Sequence, residues 1–369
     1  MIDKYRYIVS VSLQKRLKDS IELKPEYSSI KSYLKKCIKK KTILGYYTCN
    51  EQSFFWINGQ YAYGLLFNHS KTDIKTLFWY YNRISLLFEK KKLLFDKPDT
   101  LIHAYVLLLL YCDYKKKAYL NLIELGRNFI KNEYYNNGLV RYRSNTNKFF
   151  IDTLGMICGF CYEYGRRFED YEMNEIADKQ LDYVLRRCEE NDLPVPYHVY
   201  DTESNKPSGV YSWGRGIGWF LLGLTEGAIN NPKKYKAQYN KTIEYVFLHQ
   251  NKDGYFYDDF EKKNHIDTSI TSMAALSLAK GLQFGMIYKE MKEKKEKELI
   301  LSVKALINSI TENGQVMDSS GECCGEGRYS LEFGNFFAQG YTLALLNVLP
   351  HVIDIDEINA INLTKAGEK

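Results

Sequence analysis

The sequence predicts an all-α fold, an (α/α)6 barrel in which six helical hairpins close into a ring. Apolar residues recur at three- and four-residue steps along most of the 369 residues, and sustained period-two alternation is absent. Alternate predicted helices begin with a polar motif, and some, such as the one starting at Leu101, are apolar around much of their circumference. Helices of that kind are buried on all sides, as the inner ring of such a barrel is.

The elements follow in order along the chain. Helices are predicted at residues 27–40, 57–67, 72–90, 99–113, 116–131, 151–166, 170–188, 213–230, 233–250, 267–284, 286–311 and 335–349. The six inner helices are expected to begin near residues 56–63, 99, 152, 213–215, 267 and 333–339. Two short strand-like pieces, 138–142 and 254–257, follow Asn or Asp turn signals and are predicted to be loops between helices.

Composition favours one folded domain over residues 1–369, with a flexible C-terminal tail from about 355, because no linker divides the chain. The net charge of +6 is mild and its Lys-rich runs are typical of solvated surface, which argues against a nucleic-acid partner. No apolar run reaches the roughly 18 residues of a membrane span, and residues 1–20 lack the apolar core of a secretory signal. A cytoplasmic protein is expected, with its eight cysteines reduced and Cys158 and Cys161 buried as thiols.

An apolar residue or proline is followed by Asp-Thr at three of the predicted inner helix starts, with the acids at Asp99, Asp152 and Asp267. Taken singly, each Asp is typical of an N-cap, whose carboxylate accepts a backbone N–H and complements the helix dipole. Their recurrence on inner helices instead favours a shared mouth, where a buried carboxylate can serve as general acid or base. Both interpretations remain open at this point.

Several segments together resemble the unsaturated uronyl hydrolases of glycoside hydrolase families 88 and 105. The similar segments, in the same order along the chain, are 97–104 (KPDTLIHA), 150–156 (FIDTLGM), 212–219 (SWGRGIGW), 253–257 (DGYFY), 267–269 (DTS) and 274–281 (AALSLAKG). The resemblance covers about residues 56–349, and 212–219 is its most specific part. It implies a hydrolase that removes a 4,5-unsaturated uronic acid from the non-reducing end of lyase-generated oligosaccharides. In such enzymes water adds across the vinyl ether double bond, and the hemiketal that forms rearranges to release the next sugar.

The resemblance also implies roles for individual residues. Asp152 would be the general acid and base, and Asp99 would assist it by orienting water or holding the Asp152 proton. His198 matches a substrate-contacting histidine of the family. Arg215 could offer a planar fork to the uronate carboxylate or could equally brace its own loop. Trp213 is expected to stack on sugar.

Further candidates line the expected substrate site. Trp219 could stack on sugar or form a buried wall, and Tyr61 is another candidate for substrate contact. Arg141 stands where the rhamnogalacturonyl branch usually has a histidine, while Ile217 resembles that branch rather than the glucuronyl branch, which tends to carry an amide. The two clues point to different neighbouring sugars, so the sequence does not identify the oligosaccharide.

The expected partner is therefore an oligosaccharide substrate, with no metal or organic cofactor, no nucleic acid and no membrane. One alternative is a catalytically silent carbohydrate-binding or scaffold protein on the same barrel, which Arg141 keeps open. Another is a different enzyme on this barrel, such as a sugar epimerase, which would need catalytic histidines at the mouth. Only six histidines occur in the chain and few of them stand at helix starts, which weighs against that reading.

Overall fold

Inner and outer helices alternate along the chain. The computed structural model describes residues 2–22, 55–68, 70–91, 95, 97–132, 138–142, 146–321 and 337–354. The outer helices in these ranges are α1 (Ile2–Glu22), α3 (Lys71–Lys91), α5 (Leu120–Asn132), α7 (Tyr171–Glu190), α9 (Pro232–Phe247) and α11 (Lys292–Asn308). The inner helices are α2 (Trp56–Asn68), α4 (Leu101–Tyr114), α6 (Asp152–Phe168), α8 (Gly214–Asn230), α10 (Thr268–Gln283) and α12 (Gln339–Val348). Each inner helix packs against the next and α12 returns to α2, so the predicted (α/α)6 barrel is confirmed.

The ring closes where α2 packs against α12, and two glycines lie at this contact. A Cβ atom on Gly64 would collide with the backbone of Gly340, so the two helices can approach only because neither residue has a side chain. The inner helices are apolar because they are covered on all sides, and α4 is buried over most of its length. Across the ranges that the structure describes, no helix combines the length and apolarity that a membrane crossing requires.

The outer ring contains one helix that the sequence reasoning missed. Helix α1 packs on α2, α3 and α12 and supplies the sixth outer position from the N-terminal end of the chain. Its buried side chains recur at four-residue steps, at Val9, Leu13, Leu17 and Ile21. The helix predicted at 27–40 and the tail predicted from about 355 lie outside the described residues.

A small antiparallel sheet that the sequence did not predict lies next to the start of α6. Strand β1 (Lys148–Phe150) pairs with β2 (Val199–Asp201), with Phe149 opposite Tyr200. Just beyond the sheet, the backbone N–H of Ile151 donates to the carbonyl of His198 at 3.1 Å. The pairing therefore brings residue 198 to the start of α6.

Two cysteines of α6 behave as predicted. Cys158 and Cys161 are fully buried and form no disulfide. Burial raises the pKa of both thiols, because a thiolate would be poorly solvated there. They act as small apolar core residues.

Candidate active site

A buried carboxylate and an imidazole meet at the start of α6. Asp152 is the first residue of that helix, and its Oδ2 lies 2.7 Å from Nε2 of His198. Both residues are buried, with 7% and 3% of their surface exposed. The backbone of His198 is fixed on both sides, because its N–H donates to the carbonyl of Val210 at 2.9 Å and its carbonyl accepts from Ile151. The sheet and its flanking loop thus hold the imidazole against the carboxylate.

Aromatic rings pack against the imidazole of this pair. The ring centroid of Trp213 lies 4.4 Å from that of His198, and the ring of Phe150 lies 5.5 Å away; both approach edge-on. Such walls lower the local polarity, which strengthens a hydrogen bond between polar groups held inside them. Only a small part of Asp152 is exposed to solvent, and a carboxylate in such a position can serve as a general acid or base.

The three Asp-Thr motifs divide into two kinds. Asp267 is the N-cap of α10, and its Oδ1 accepts from the backbone N–H of Ser269 at 2.7 Å. Neither α6 nor the 3-10 turn Pro98–Thr100 that contains Asp99 has a side-chain N-cap hydrogen bond. That turn packs against α6, and Asp99 is buried in it. The capping interpretation therefore holds for Asp267, while Asp99 and Asp152 sit on neighbouring elements without capping them.

Arg215 uses its planar fork on the backbone of a neighbouring loop. Its Nη1 donates to the carbonyl oxygen of Ser320 at 2.9 Å and to the hydroxyl of Ser320 at 2.6 Å, and its Nη2 donates to the carbonyl oxygen of Gly321 at 2.6 Å. The guanidinium also lies over two rings, with its Cζ 4.9 Å from the centroid of Trp213 and 4.6 Å from that of Phe337. Of the two roles open from the sequence, these contacts fit bracing of the loop.

The comparisons with known proteins agree with this architecture. The family model described as Glycosyl Hydrolase Family 88 matches residues 29–339. This chain belongs to glycosyl hydrolase family 88. It is accordingly a glycosidase. None of the curated protein sequences matches it significantly.

Solved structures resemble the glycosidase in fold. An unsaturated glucuronyl hydrolase from Bacillus sp. GL1, responsible for the degradation of glycosaminoglycan, has a TM-score of 0.74 at 14% identity, covering 95% of this chain and 98% of its own. An unsaturated glucuronyl hydrolase specific for heparin has a TM-score of 0.71 at 17% identity, covering 98% and 100%. A possible member of the GH105 family from Klebsiella pneumoniae has a TM-score of 0.70 at 14% identity, covering 88% and 94%. At such identities the likeness concerns the fold.

Two residues predicted to contact substrate are packed into the walls of the family 88 barrel. The ring of Trp219 is buried, with its centroid 5.8 Å from that of Trp56 and 5.9 Å from that of Tyr341. It acts as the buried wall that the sequence left open as one of its two roles. Tyr61 is also buried, and the guanidinium of Arg16 on α1 lies 5.9 Å from its ring centroid. Burial raises the pKa of the Tyr61 hydroxyl, although Arg16 opposes the shift. Tyr61 therefore contacts the outer ring through Arg16.

Sequence reasoning missed some aromatic side chains of the mouth. Trp56 and Phe337 stack at a centroid distance of 5.1 Å and an interplanar angle of 7°, which joins the start of α2 to the residues before α12. Phe150 was also missed; its ring packs 4.8 Å from that of Tyr142, the residue after the partly exposed Arg141. The available signal was position, since Trp56 opens an inner helix and Phe150 stands two residues before Asp152.

The site of the glycosidase offers proton-transfer groups and aromatic surface. Over the part of the chain that the structure describes, no three His, Cys, Asp or Glu side chains are grouped so that they could hold a metal ion. What these residues place together is a buried carboxylate, Asp152, and an imidazole, His198, 2.7 Å apart.

Proposed function

We propose that this glycosidase removes a 4,5-unsaturated uronic acid from the non-reducing end of lyase-generated oligosaccharides by hydrating the vinyl ether double bond. The observation that carries the proposal is the hydrogen bond of 2.7 Å between Asp152 Oδ2 and His198 Nε2, with the ring of Trp213 packed against the imidazole. Hydration needs one group that gives a proton to carbon and takes one back from water. A single carboxylate can do both in turn.

In this mechanism Asp152 begins protonated and ends protonated. Its proton passes to the alkene carbon, a C–H bond forms, and positive charge develops on the neighbouring carbon that carries the ring oxygen. Water then attacks that carbon while the carboxylate takes one of its protons. The resulting hemiketal rearranges and releases the next sugar, so no net proton is consumed.

His198 is assigned as the group that orients the Asp152 carboxylate. An imidazole N–H that donates to Oδ2 occupies that oxygen and leaves the other carboxylate oxygen for the exchange with substrate. The ring also stabilises the carboxylate formed after the first proton transfer.

The other residues position substrate around this pair. Asp99, buried on a turn against α6, is assigned to orient the attacking water. Trp213, only 3% exposed, forms a wall that holds the imidazole of His198, and Arg215 acts through the loop that it braces. Arg141, partly exposed and next to Tyr142, is assigned to the following sugar, where it would favour a sugar that bears a negative charge.

The proposal is tested by following the near-ultraviolet absorbance of the double bond during incubation with lyase-generated oligosaccharides from several polymers. Wild type is expected to remove the absorbance for at least one substrate, and Asp152→Asn to be slower by a factor of about 10²–10⁴, as expected for loss of a general acid–base. Asp113→Asn, the same change at an exposed residue near the C-terminal end of α4, is the control and should keep full activity. Full activity of Asp152→Asn, or binding without turnover across the whole panel, would reject the assignment.

A further inference from the structure

A buried histidine of α4 is hydrogen-bonded to the residue that precedes Trp56. The Nε2 atom of His103 lies 3.0 Å from the carbonyl oxygen of Phe55, and its Nδ1 atom lies 3.1 Å from the hydroxyl of Tyr81. Burial lowers the pKa of His103 to about 3, so the imidazole is neutral at pH 7 and carries one N–H. A carbonyl oxygen can only accept, so Nε2 carries that hydrogen and donates to Phe55, while Nδ1 accepts from Tyr81.

The carbonyl of Phe55 marks the start of α2. It also accepts from the backbone N–H of Asn58 at 3.0 Å, so its two lone pairs are both used. The imidazole lies directly against α2, because a Cβ atom on Gly59 would stand only 3.2 Å from Cδ2 of His103. The first residue of α2 is Trp56. His103 therefore fixes the first turn of α2, and with it the backbone of Trp56, relative to α4.

Trp56 belongs to the mouth and keeps part of its surface exposed. Its ring stacks on that of Phe337, and the guanidinium of Arg215 lies over both Phe337 and Trp213. The ring of Trp213 in turn packs against His198 of the candidate site. Phe337 and Trp213 are buried, with 5% and 3% exposed, whereas Trp56 is partly exposed. Trp56 can therefore offer ring surface to a sugar where these two neighbours cannot.

We propose that His103 is a positioning residue of the substrate site, which acts through the carbonyl of Phe55 to hold the ring of Trp56 at the mouth. The role rests on the proposed function, since a sugar is the ligand that Trp56 would contact. His103 itself has no exposed surface and touches no ligand. A ring that is already in place loses little freedom when substrate binds, so the contact lowers KM and leaves the proton transfer at Asp152 unchanged.

Glutamine and asparagine at position 103 separate the bond to Phe55 from the presence of a polar side chain. The amide nitrogen of glutamine reaches the place of Nε2, whereas the amide of asparagine ends at the place of Nδ1 and cannot reach Phe55. His103→Asn should raise KM for a lyase-generated disaccharide roughly two- to tenfold, the effect of losing one aromatic contact, with kcat within about twofold. His103→Gln should recover most of that KM. In a Trp56→Ala background, His103→Asn should change KM little further, because the ring that it positions is gone.

Acrylamide quenching of tryptophan fluorescence tests the same contact without substrate. The four tryptophans of the chain all lie within the described residues. Trp213 and Trp219 are buried, so in a Trp79→Phe background Trp56 is the one tryptophan with exposed surface. His103→Asn should increase the quenching constant in this background, because the start of α2 is released, and His103→Gln should leave it near the parent value.

Tyr239→Phe is the matched control, since it also removes one buried side-chain bond to a backbone carbonyl, that of Ser277 on α10. It should match the parent in both measurements. A quenching constant and KM of His103→Asn equal to those of Tyr239→Phe overturn the proposal, and so does an equal rise in KM with and without Trp56. Absence of turnover by the wild type would reject the function proposed for Asp152, while the quenching result would still decide whether His103 holds Trp56.

Discussion

Replacing Arg215 with methionine removes the guanidinium that holds residues 320–321 and keeps an unbranched side chain in its place. In the folded protein the fork donates to two backbone carbonyls, of Ser320 and Gly321, at 2.9 and 2.6 Å. Both residues are buried, so water cannot readily replace the lost donors. The substitution therefore leaves two acceptors without partners.

The size of the effect follows from those acceptors. A buried polar group left unsatisfied costs about 1–3 kcal/mol, so two of them lower the free energy of unfolding by about 2–6 kcal/mol. With an unfolding entropy of about 2.1 cal/mol/K per residue over 369 residues, this corresponds to a fall in Tm of about 3–8 °C. A carboxylate clamp that only met substrate would change Tm little.

Calorimetry and steady-state kinetics on the same preparations decide between the two roles. Arg215→Met should lower Tm as stated, and Arg215→Lys should recover only part of it because lysine lacks the planar fork. Arg167→Met is the control: its side chain is 40% exposed and paired with Glu163 on the surface of α6, so a change of about 1 kcal/mol or less is expected. An unchanged Tm in Arg215→Met with a large rise in KM would refute the bracing role. It would favour the other role, in which the guanidinium binds the carboxylate of the substrate.

Three further substitutions test other parts of the barrel. Lys280→Met should cost up to about 3–5 kcal/mol of unfolding free energy, because it leaves Glu226, whose side chain is only 15% exposed, without its ion-pair partner, and the double variant with Glu226→Gln should recover most of the loss in urea titrations. His103 has its pKa lowered to about 3 by burial, below its unfolded value of about 6.5, so its contribution to stability is complete above pH 6.5 and is lost as pH falls. Between pH 7 and 5 this loss is about 2 kcal/mol. In His103→Gln the free energy of unfolding, measured by urea titration, should therefore fall by about 2 kcal/mol less over that range than in the wild type. Asp267→Ala removes the N-cap of α10, about 0.5–2 kcal/mol by itself, and also leaves the buried N–H and hydroxyl of Ser320 without their acceptor at about 1–3 kcal/mol each. The loss by the same measurement should therefore exceed that of a cap alone, whereas an unchanged midpoint would show that this carboxylate carries no stability.

The helices were largely predictable because each has a face that must be apolar. The pattern over 151–166 predicted a helix that the structure has at Asp152–Phe168, and the pattern over 213–230 predicted Gly214–Asn230. Helix α1 is not among the predicted helices, although Val9 and Leu13 mark a buried face at a four-residue step. The apolar periodicity of a segment is thus enough to predict that it forms a helix, and this holds for α1 as well.

The pairing at the candidate site could not be predicted in the same way. His198 stands forty-six residues after Asp152, and nothing in the local sequence near either residue points to the other. Their contact depends on the pairing of β1 with β2, two strands of three residues each that are too short to show a pattern. The prediction of His198 therefore rests on the family resemblance and not on the local sequence.

A shift of one residue separates an acid that caps a helix from the acid to which the proposed mechanism gives the proton transfer. Asp267 stands just before α10, and its carboxylate accepts hydrogen bonds from the N–H and hydroxyl of Ser269 and from the N–H and hydroxyl of Ser320. With four donors and no exposed surface, that carboxylate has no means of exchanging a proton with a ligand. Asp152 stands one position later, as the first residue of α6, and its side chain keeps 10% exposure with His198 on Oδ2. The same dipeptide is therefore a helix cap at one site and, in the proposed mechanism, an acid–base group at the other, and the position of the Asp relative to the first residue of the helix decides between them.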